Sequence, residues 1–242
     1  MVQYSGVDNE EFRHDYIKQQ IAKFGSAGLD LLDIGAGLQP YKSYVVGTGL
    51  NYFSHDFQEY VPASNSMTPN DDCGSRNIVG IQNEEWNYPK ADIVCDILEI
   101  PQSKKYDIIL CTEVLEHVPD PVRVFELISK LLKPSGVCII SVPLISLMHQ
   151  APYWFQSGLS PFWFDYWADR FDIEVISNEI SGDYIDFSVQ EFDRFIRAAK
   201  LNWRVAKIMK ILIHYFGKKI EPSTLQCAGF NTLLTGRKLP LL

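Results

Sequence analysis

The sequence predicts an α/β fold in which a doubly wound, mostly parallel β-sheet is covered by helices on both faces. Short, nearly all-apolar segments alternate with amphipathic helical segments between residues 29 and 142. The first apolar segment runs straight into a glycine turn at Gly35, Ala36 and Gly37, the arrangement of a strand that feeds a helix. Because several segments end at a polar residue, we expect ligands to bind in the crevice at the carboxyl ends of the strands.

The elements follow in order along the chain. An N-terminal helix is predicted over residues 10–24, with Asp8 or Asn9 as its cap. Apolar runs bounded by turn residues predict strands, which cover residues 29–34, 51–55, 91–95, 106–111, 137–142 and 172–176. Apolar residues at helical spacing predict one helix over 121–132 and another that starts at Ser160.

Composition and charge limit the class of protein. A chain of 242 residues with 46% apolar residues buries a full core without disulfides, which predicts one globular domain over residues 1–242. Its 30 acidic and 22 basic side chains give a formal charge of −8. Since domains that bind the phosphate backbone are usually basic, this balance argues against nucleic acid as a partner.

The cysteines predict buried thiols in a reducing compartment, and we expect a cytoplasmic protein. The five cysteines are odd in number, far apart and mostly set in apolar runs. No CxxC pair or Cys/His cluster shows metal-site spacing, so no bound metal is expected. The N-terminus lacks the pattern of a signal peptide, and the most apolar segment, residues 137–148, is too short to span a bilayer.

The glycine turn is the first chemical signal, because glycines let the backbone approach a ligand closely. A dinucleotide fingerprint needs a third glycine where this chain has Pro40, which disfavours a nicotinamide-dependent reductase. Asp56 follows Asp33 by 23 residues, at a spacing where a carboxylate accepts the hydroxyls of a ribose. Asp96, after the third strand, is placed to accept a hydrogen bond from an adenine amino group.

Taken together, these segments resemble the class I S-adenosylmethionine-dependent methyltransferases. In family order they are LLDIGAGLQPY, NYFSHDF, ADIVCDI, YDIILCTEVLEHVPDP and LLKPSGVCIISVP, between residues 31 and 143. EVLEHV at 113–118 followed by LKPSG at 132–136 is similar to the small-molecule, type 11-like subgroup that includes the ubiquinone and menaquinone methyltransferases. The resemblance implies a Rossmann-like sheet of about seven strands with an antiparallel last strand over 224–238, and helical or loop lid insertions.

The resemblance also implies a cofactor, S-adenosylmethionine, with S-adenosylhomocysteine as its product. Asp33 and the glycine turn are then expected around the methionine part of the cofactor, and Asp56 on its ribose. Asp96 and the backbone of Ile97 are expected at the adenine. The full set of implied cofactor residues is Asp33, Gly35, Ala36, Gly37, Asp56, Phe57, Asp96, Ile97, Cys111, Glu113 and His117.

Structural roles remain open for the acidic members of this set. Asp33 could cap the following helix, and Asp56 and Asp96 could be solvated loop carboxylates. Glu113 and Glu116 could form an acidic first helical turn, favoured by the helix dipole, without touching a cofactor. The sequence alone does not choose between these roles and ligand binding.

Methyl transfer from a sulfonium requires orientation of the acceptor atom and exclusion of water, and a hydroxyl acceptor benefits from a general base. Two histidines fall near the predicted crevice, and we expect His149, ahead of His117, to be this base. An aromatic segment follows His149, in which Tyr153, Trp154 or Phe155 is expected to face the acceptor.

Two further segments carry expectations of their own. Residues 61–90 are rich in turn formers and predict either an active-site cover or a partly disordered insertion. Residues 162–171 are predicted to lie mostly in the core, with a buried helical stripe formed by Phe162, Tyr166 and Phe171.

The segment 194–219 carries eight basic residues and no acidic one. Helical spacing places basic side chains on one face of a single helix, namely Arg197, Lys200, Arg204, Lys207, His214 and Lys218. A basic amphipathic helix can lie on a membrane surface or hold an anionic or lipid-linked acceptor. A helix packed on the sheet with a solvated basic side is the alternative.

The sequence therefore predicts a methyltransferase acting on a small molecule or glycan, most simply at oxygen. Its parts are a cofactor-binding core, an aromatic acceptor-side segment, a basic helical segment and a closing strand with a tail, over residues 1–147, 148–190, 191–222 and 223–242. A non-enzymatic cofactor-binding subunit, and N- or C-methylation of a quinone-like or lipid-linked acceptor, remain as alternatives. The oligomeric state is not predicted.

Overall fold

The computed structural model describes residues 9–58, 88–150, 153–200 and 202–240. Seven strands form one sheet in the order β3-β2-β1-β4-β5-β7-β6. All neighbouring pairs among the first five strands are parallel, and β7 is antiparallel to both β5 and β6. The predicted fold class, with its antiparallel last strand, is confirmed.

The first half of the chain alternates strands and helices as predicted. Its elements are α1 (Asn9–Phe24), β1 (Asp30–Ile34), α2 (Lys42–Gly47), β2 (Asn51–Asp56), β3 (Ile93–Val94), β4 (Tyr106–Thr112) and α3 (Pro121–Leu131). Two short 3₁₀ turns, Ile97–Glu99 and Leu115–His117, follow β3 and β4. Parallel pairing of β1 with β2 and β4 brings the carboxyl ends of these strands, and the turns after them, to one edge of the sheet.

The second half completes the sheet and adds a helical layer. Its elements are β5 (Leu132–Pro143), α4 (Pro161–Ala168), β6 (Ile173–Ile180), α5 (Tyr184–Ala198), α6 (Trp203–Gly217), α7 (Pro222–Leu225) and β7 (Asn231–Lys238). Helix α5 was not predicted, and the closing strand begins at Asn231 because a short helix occupies the start of the predicted segment.

The core lies on both faces of the sheet, because successive strand residues point to opposite faces. Leu31 packs in a cluster with Ile17 and Ile21 of α1. Leu32, the next residue of β1, packs in the other cluster with Phe125 of α3 and with buried residues of α4. Helices α1 and α2 thus cover one face, and α3 and α4 cover the other.

Strand β3 is shorter than the predicted strand over 91–95. The Asp92 carboxylate accepts hydrogen bonds from the backbone N and the hydroxyl of Ser54, both at 2.8 Å, in place of strand pairing. Asp96 leaves the strand to cap the next 3₁₀ turn. Most of the predicted insertion over 61–90 lies outside the described residues, so the expected cover is not tested.

The predicted aromatic stripe of α4 is wrong. The exposed fractions of Phe162 and Tyr166 are 81% and 54%, while Phe164 and Ala168 are buried in the core. A helix that turns residues 164 and 168 inward turns residues two positions away outward, toward solvent. Phe171 does pack against the core, together with Trp163 and Trp167.

The prediction of one continuous basic helix over 194–219 is also wrong. Helix α5 ends at Ala198 and α6 starts at Trp203. Lys200 takes a left-handed backbone conformation, with φ +51°, and the Asn202 side chain caps α6 by accepting from Arg204 N at 2.9 Å. Basic residues before and after this break therefore do not share one helix face. Among the residues that the structure describes, no helix is both long and apolar enough to cross a membrane.

Candidate functional site

A cavity of about 500 Å³ opens at the carboxyl ends of the parallel strands. Eight of the eleven predicted cofactor residues line it, namely Gly35, Gly37, Asp56, Phe57, Asp96, Ile97, Glu113 and His117. The other three, Asp33, Ala36 and Cys111, are buried behind the wall. His149 does not line the cavity, but its ring lies 4.8 Å from the His117 ring, centroid to centroid.

The glycine turn forms one end of the cavity because only glycine fits its backbone. Gly35 has φ +66°, and a Cβ there would lie 2.4 Å from Cγ2 of Val114. The turn is tied to β2 by two hydrogen bonds. Ala36 N donates to the His55 carbonyl at 2.9 Å, and Gly37 N donates to Asp56 Oδ2 at 2.9 Å.

Asp33 lies directly behind this turn with one unused acceptor. It is 1% exposed, and its Oδ2 accepts from the Tyr52 hydroxyl at 2.8 Å. Its Oδ1 has no hydrogen-bond donor within the described part of the chain. Burial, with a further contribution from the Asp56 charge, raises the pKa of Asp33 to about 7. A cationic donor placed at Oδ1 would stabilise the Asp33 anion. Because Oδ2 accepts from a tyrosine hydroxyl and not from a helix backbone N–H, the helix-cap role considered for Asp33 is not the one observed.

Asp56 and Asp96 occupy the ends of β2 and β3. Asp56 is buried and accepts from Gln58 N at 3.0 Å in addition to Gly37. Asp96 is exposed and accepts from Leu98 N at 2.8 Å. Asp96 therefore serves as a structural cap while also lining the cavity. Tyr88, which no pattern in the sequence indicated, lines the same region.

Glu113 connects three parts of the fold at the floor of the site. Its carboxylate accepts from Ser141 Oγ at 2.8 Å and from Asn231 Nδ2 at 2.9 and 3.0 Å. Arg13 of α1 forms an ion pair with it at 3.1 Å. Since α3 begins only at Pro121, the interpretation of Glu113 as part of a helical first turn is wrong. No local pattern in the sequence indicates the contributions of Arg13 or Asn231.

The opposite wall is built where the 3₁₀ turn Leu115–His117 meets the aromatic segment. The Glu116 carbonyl accepts from Phe155 N at 2.9 Å and Gln156 N at 3.1 Å, while His117 Nδ1 donates to the Tyr153 carbonyl. Tyr153 and Phe155 line the cavity, and the Tyr153 ring meets Phe57 at 6.1 Å. Trp154 turns away and its indole N–H donates to Ser146 Oγ at 3.4 Å.

Two histidines and a glutamate meet behind this wall. Burial lowers the pKa of His117 to about 4, so its ring is neutral near pH 7. Glu116 is fully buried, and burial together with the Glu113 charge raises the pKa of its carboxyl well above the usual range. His117 Nε2 lies 3.5 Å from Glu116 Oε1. His149 Nδ1 donates to the Leu147 carbonyl at 2.9 Å, which fixes its ring beside His117.

Sequence comparison connects this chain to methyltransferases. The methyltransferase domain family matches residues 10–231. A ubiquinone biosynthesis O-methyltransferase of Psychrobacter cryohalolentis is 27% identical over 141 residues, covering 54% of this chain and 49% of that protein. A protein of the same name from Leptothrix cholodnii is 25% identical over 129 residues, covering 53% of this chain and 49% of that protein. The chain thus spans about half the length of the curated relatives it matches.

Structural comparison gives the fold. A SAM-dependent methyltransferase of Archaeoglobus fulgidus superposes with a TM-score of 0.53 at 14% identity, over 98% of this chain and all (100%) of that one. The cyclase SpnF superposes with a TM-score of 0.51 at 17% identity, over 94% of this chain and 81% of that one. At 14% and 17% identity, the likeness to these two proteins describes the fold alone.

Proposed function

The chain belongs to the methyltransferase domain family, and on that premise we propose that it transfers a methyl group from S-adenosylmethionine to a hydroxyl oxygen of a small molecule. One observation carries the proposal. A single cavity has the glycine turn and Asp56 on one wall, and His117 with Tyr153 on the other. The first wall suits the cofactor and the second suits an acceptor.

The first wall fits S-adenosylmethionine by the chemistry of its donors and acceptors. The unused Oδ1 of buried Asp33 is an acceptor for an ammonium group. The glycine turn allows close approach of a ligand, and buried Asp56 offers a carboxylate to ribose hydroxyls. The cavity volume of about 500 Å³ lies in the range of small-molecule sites. When bound, the cofactor supplies an electrophilic methyl group on a sulfonium.

The second wall supports an oxygen acceptor, because a hydroxyl must lose its proton during methylation. Neutral His117 lines this wall and can act on that proton. His149 lies outside the lining, with its ring 4.8 Å from the His117 ring, and the prediction of His149 as general base stays a prediction. The aromatic faces of Tyr153 and Phe155 exclude water and stabilise a nearby cation. The curated relatives are named O-methyltransferases, in agreement with this proposal.

The experiment is methyl transfer from radiolabelled S-adenosylmethionine to a panel of phenols and catechols, with matched anilines and thiols. The proposal predicts label in an ether product that survives mild base. Label on the aniline, or on a ring carbon, would replace the oxygen assignment with N- or C-methylation. Tight S-adenosylhomocysteine binding without transfer to any acceptor, glycans included, would favour the non-enzymatic subunit. The cavity argues against that alternative, because Tyr153 and Phe155 line it without filling it.

We also propose that the second half of the molecule meets an anionic lipid surface, where a lipid-linked acceptor would be presented. Helix α6 exposes apolar side chains, namely Val205, Ile208, Met209, Ile211, Leu212, Tyr215 and Phe216. Basic residues flank them at Arg204, Lys207, Lys218 and Lys219, and no acidic residue lies in this helix. An exposed helix with apolar and basic residues is typical of peripheral membrane binding.

Vesicle sedimentation tests the lipid proposal. The wild-type chain should bind vesicles containing phosphatidylglycerol and not those of phosphatidylcholine alone. The double variant Ile208→Asp, Ile211→Asp should lose at least about tenfold in binding, since each buried CH₂ contributes ~0.8 kcal/mol. Val46→Asp, an equally exposed change on α2, is the control. Equal binding of all three chains, or none by the wild type, would contradict the proposal.

Two organisational assignments remain proposals. We propose one domain over residues 1–242, in which 1–147 carries the cofactor and 148–190 the acceptor side. We propose a cytoplasmic location on the ground that Cys95, Cys111, Cys138 and Cys227 are all free thiols. Fractionation of cells that express the tagged protein would check the location.

A further inference from the structure

We propose that His55 determines the specificity of the cavity for a base that carries an amino group, such as adenine, over a base with an oxo group in its place. The inference rests on the proposed function, because it takes the bound nucleoside to be that of S-adenosylmethionine. His55 precedes Asp56 at the end of β2, and its side chain lines the cavity although only 2% of the residue is exposed. No pattern in the sequence indicated a role for this histidine.

The His55 ring lies on the face of the sheet that α3 covers. Successive strand residues point to opposite faces, so His55 shares its face with Phe53, which packs against the cluster that contains Phe125 of α3. Two members of this cluster, Ile97 and Val124, also line the cavity. The cavity thus offers an apolar surface on this face of the sheet, which suits the flat face of a base.

One ring nitrogen of His55 holds the segment that leads to Asp96. Nε2 lies 3.1 Å from the Cys95 carbonyl oxygen, which can only accept, so Nε2 carries the proton and donates. Strand β3 pairs with β2 through only two residues, Ile93 and Val94. The hydrogen bond to Cys95 adds a further connection directly before Asp96, which lines the cavity.

The other ring nitrogen of His55 is a buried acceptor. With the proton on Nε2, Nδ1 carries a lone pair, and it has no hydrogen-bond donor among the described residues. Burial lowers the pKa of His55, although the charges of Asp56 and Asp96 oppose this, so the ring is neutral near pH 7 and keeps its lone pair. Because a buried acceptor without a donor is costly, we expect a ligand in the cavity to supply the donor.

The acceptors on this wall determine which base fits. The lone pair of His55 Nδ1 and the carboxylate of Asp96 both accept hydrogen bonds, and both residues line one cavity. The amino group of adenine has N–H groups to donate to such acceptors. An oxo group at the same position carries lone pairs instead, so it would face these acceptors without a donor and leave Nδ1 unpaired. Unpaired polar groups of this kind reject a wrong ligand more strongly than shape does.

Calorimetric titrations of the full chain test the inference with S-adenosylhomocysteine and with its analogue that has hypoxanthine in place of adenine. The wild type should prefer the adenine compound. His55→Gln keeps an N–H near the position of Nε2 but lacks the Nδ1 acceptor. It should therefore bind S-adenosylhomocysteine about 5- to 150-fold more weakly and bind the analogue with nearly unchanged affinity.

Two further variants sharpen the experiment. His55→Asn places an oxygen near the position of Nδ1, so it should keep more of the preference for adenine than His55→Gln does. His214→Gln is the matched control, because the His214 ring also donates to a backbone carbonyl, that of Lys210 at 2.7 Å, and His214 does not line the cavity. This control should keep the wild-type affinity for both compounds.

The ratio of the two dissociation constants separates a contact with the base from a structural role. Structural damage weakens both compounds alike, so a ratio in His55→Gln equal to that of the wild type would overturn the inference. A wild type that binds both compounds equally would overturn it too, while leaving the methyltransferase proposal intact. A wild type that binds neither compound would instead overturn the cofactor assignment, and this inference with it.

Discussion

The two walls of the cavity differ in how the chain builds them. The wall at the glycine turn is made by residues directly after β1, β2 and β3, and its hydrogen bonds join neighbouring strand ends. The wall at His117 joins a 3₁₀ turn, the loop after β5 and the aromatic segment, which are distant in the sequence. At the first wall, Asp33 and Asp56 each accept at least one hydrogen bond, whereas at the second wall neither oxygen of the buried Glu116 carboxyl has a donor among the described residues.

This difference indicates that the first wall binds the cofactor and the second wall acts on the acceptor. Fixed acceptors at strand ends can hold the same cofactor while loops elsewhere change, which is how one fold serves many reactions. A buried group without a partner is costly and persists where a ligand or reaction requires it. We therefore expect variants of the first wall to change cofactor affinity, and variants of the second wall to change the rate of transfer.

The largest effect is expected at His149. His149→Gln should lower turnover about 100- to 10⁴-fold if the sequence prediction of His149 as general base is correct, because the acceptor hydroxyl then loses the group that takes its proton. The affinity for S-adenosylhomocysteine should change little, since His149 does not line the cavity. Steady-state kinetics and calorimetry measure the two effects, with His14→Gln as the control. Unchanged turnover would remove His149 from the reaction.

The next effect is expected at Gly35. Gly35→Ala adds a Cβ that would lie 2.4 Å from Val114, at a residue with φ +66°. Strain of ~1–3 kcal/mol at the turn should weaken S-adenosylhomocysteine binding about 5- to 150-fold, as calorimetry would show. Gly47→Ala is the control, because nothing lies within 4 Å of a Cβ added at Gly47. Equal affinity in both variants would separate the glycine turn from cofactor binding.

A third effect concerns the connection between the walls. Glu113→Gln removes the charge that pairs with Arg13 at 3.1 Å and disturbs hydrogen bonds to Ser141 and Asn231. We expect the free energy of unfolding to fall by about 1–2 kcal/mol, a value discounted because both partners are partly exposed. Urea unfolding measures it. Glu126→Gln, which alters an exposed pair with Lys130, should change stability by less than about 0.5 kcal/mol, and a similar loss in both variants would contradict the account.

The smallest effect is a pH dependence of cofactor affinity. Burial raises the pKa of Asp33 to about 7, so this carboxyl gains negative charge as pH rises from 5.5 to 7.5. Since the anion attracts an ammonium group and the neutral acid does not, the Kd for S-adenosylhomocysteine should fall with rising pH, by up to about tenfold. Asp33→Asn should give a flat profile. A wild-type profile that is equally flat would show that Asp33 does not contact the ammonium.

The same contrast explains what the sequence could predict. Local patterns predict the strand ends, the glycine turn, Asp56 and Asp96. The structure brings the glycine turn and both aspartates to one cavity. Arg13, Asn231 and the approach of His149 to His117 depend on packing between distant segments, which no spacing rule describes. The prediction of a buried stripe at Phe162 was wrong because the periodicity of a short helix is compatible with more than one inward face. The break near Lys200 was missed because a left-handed residue and a side-chain cap outweigh helical periodicity.

The most direct test of the central claim is a calorimetric titration of the full chain with S-adenosylhomocysteine, compared with NADH. We predict saturable one-to-one binding of S-adenosylhomocysteine and no binding of NADH, because the glycine turn and Asp56 suit a single nucleoside with an amino-acid tail. Binding of NADH in preference to S-adenosylhomocysteine would contradict the assignment of the cavity and of both its walls.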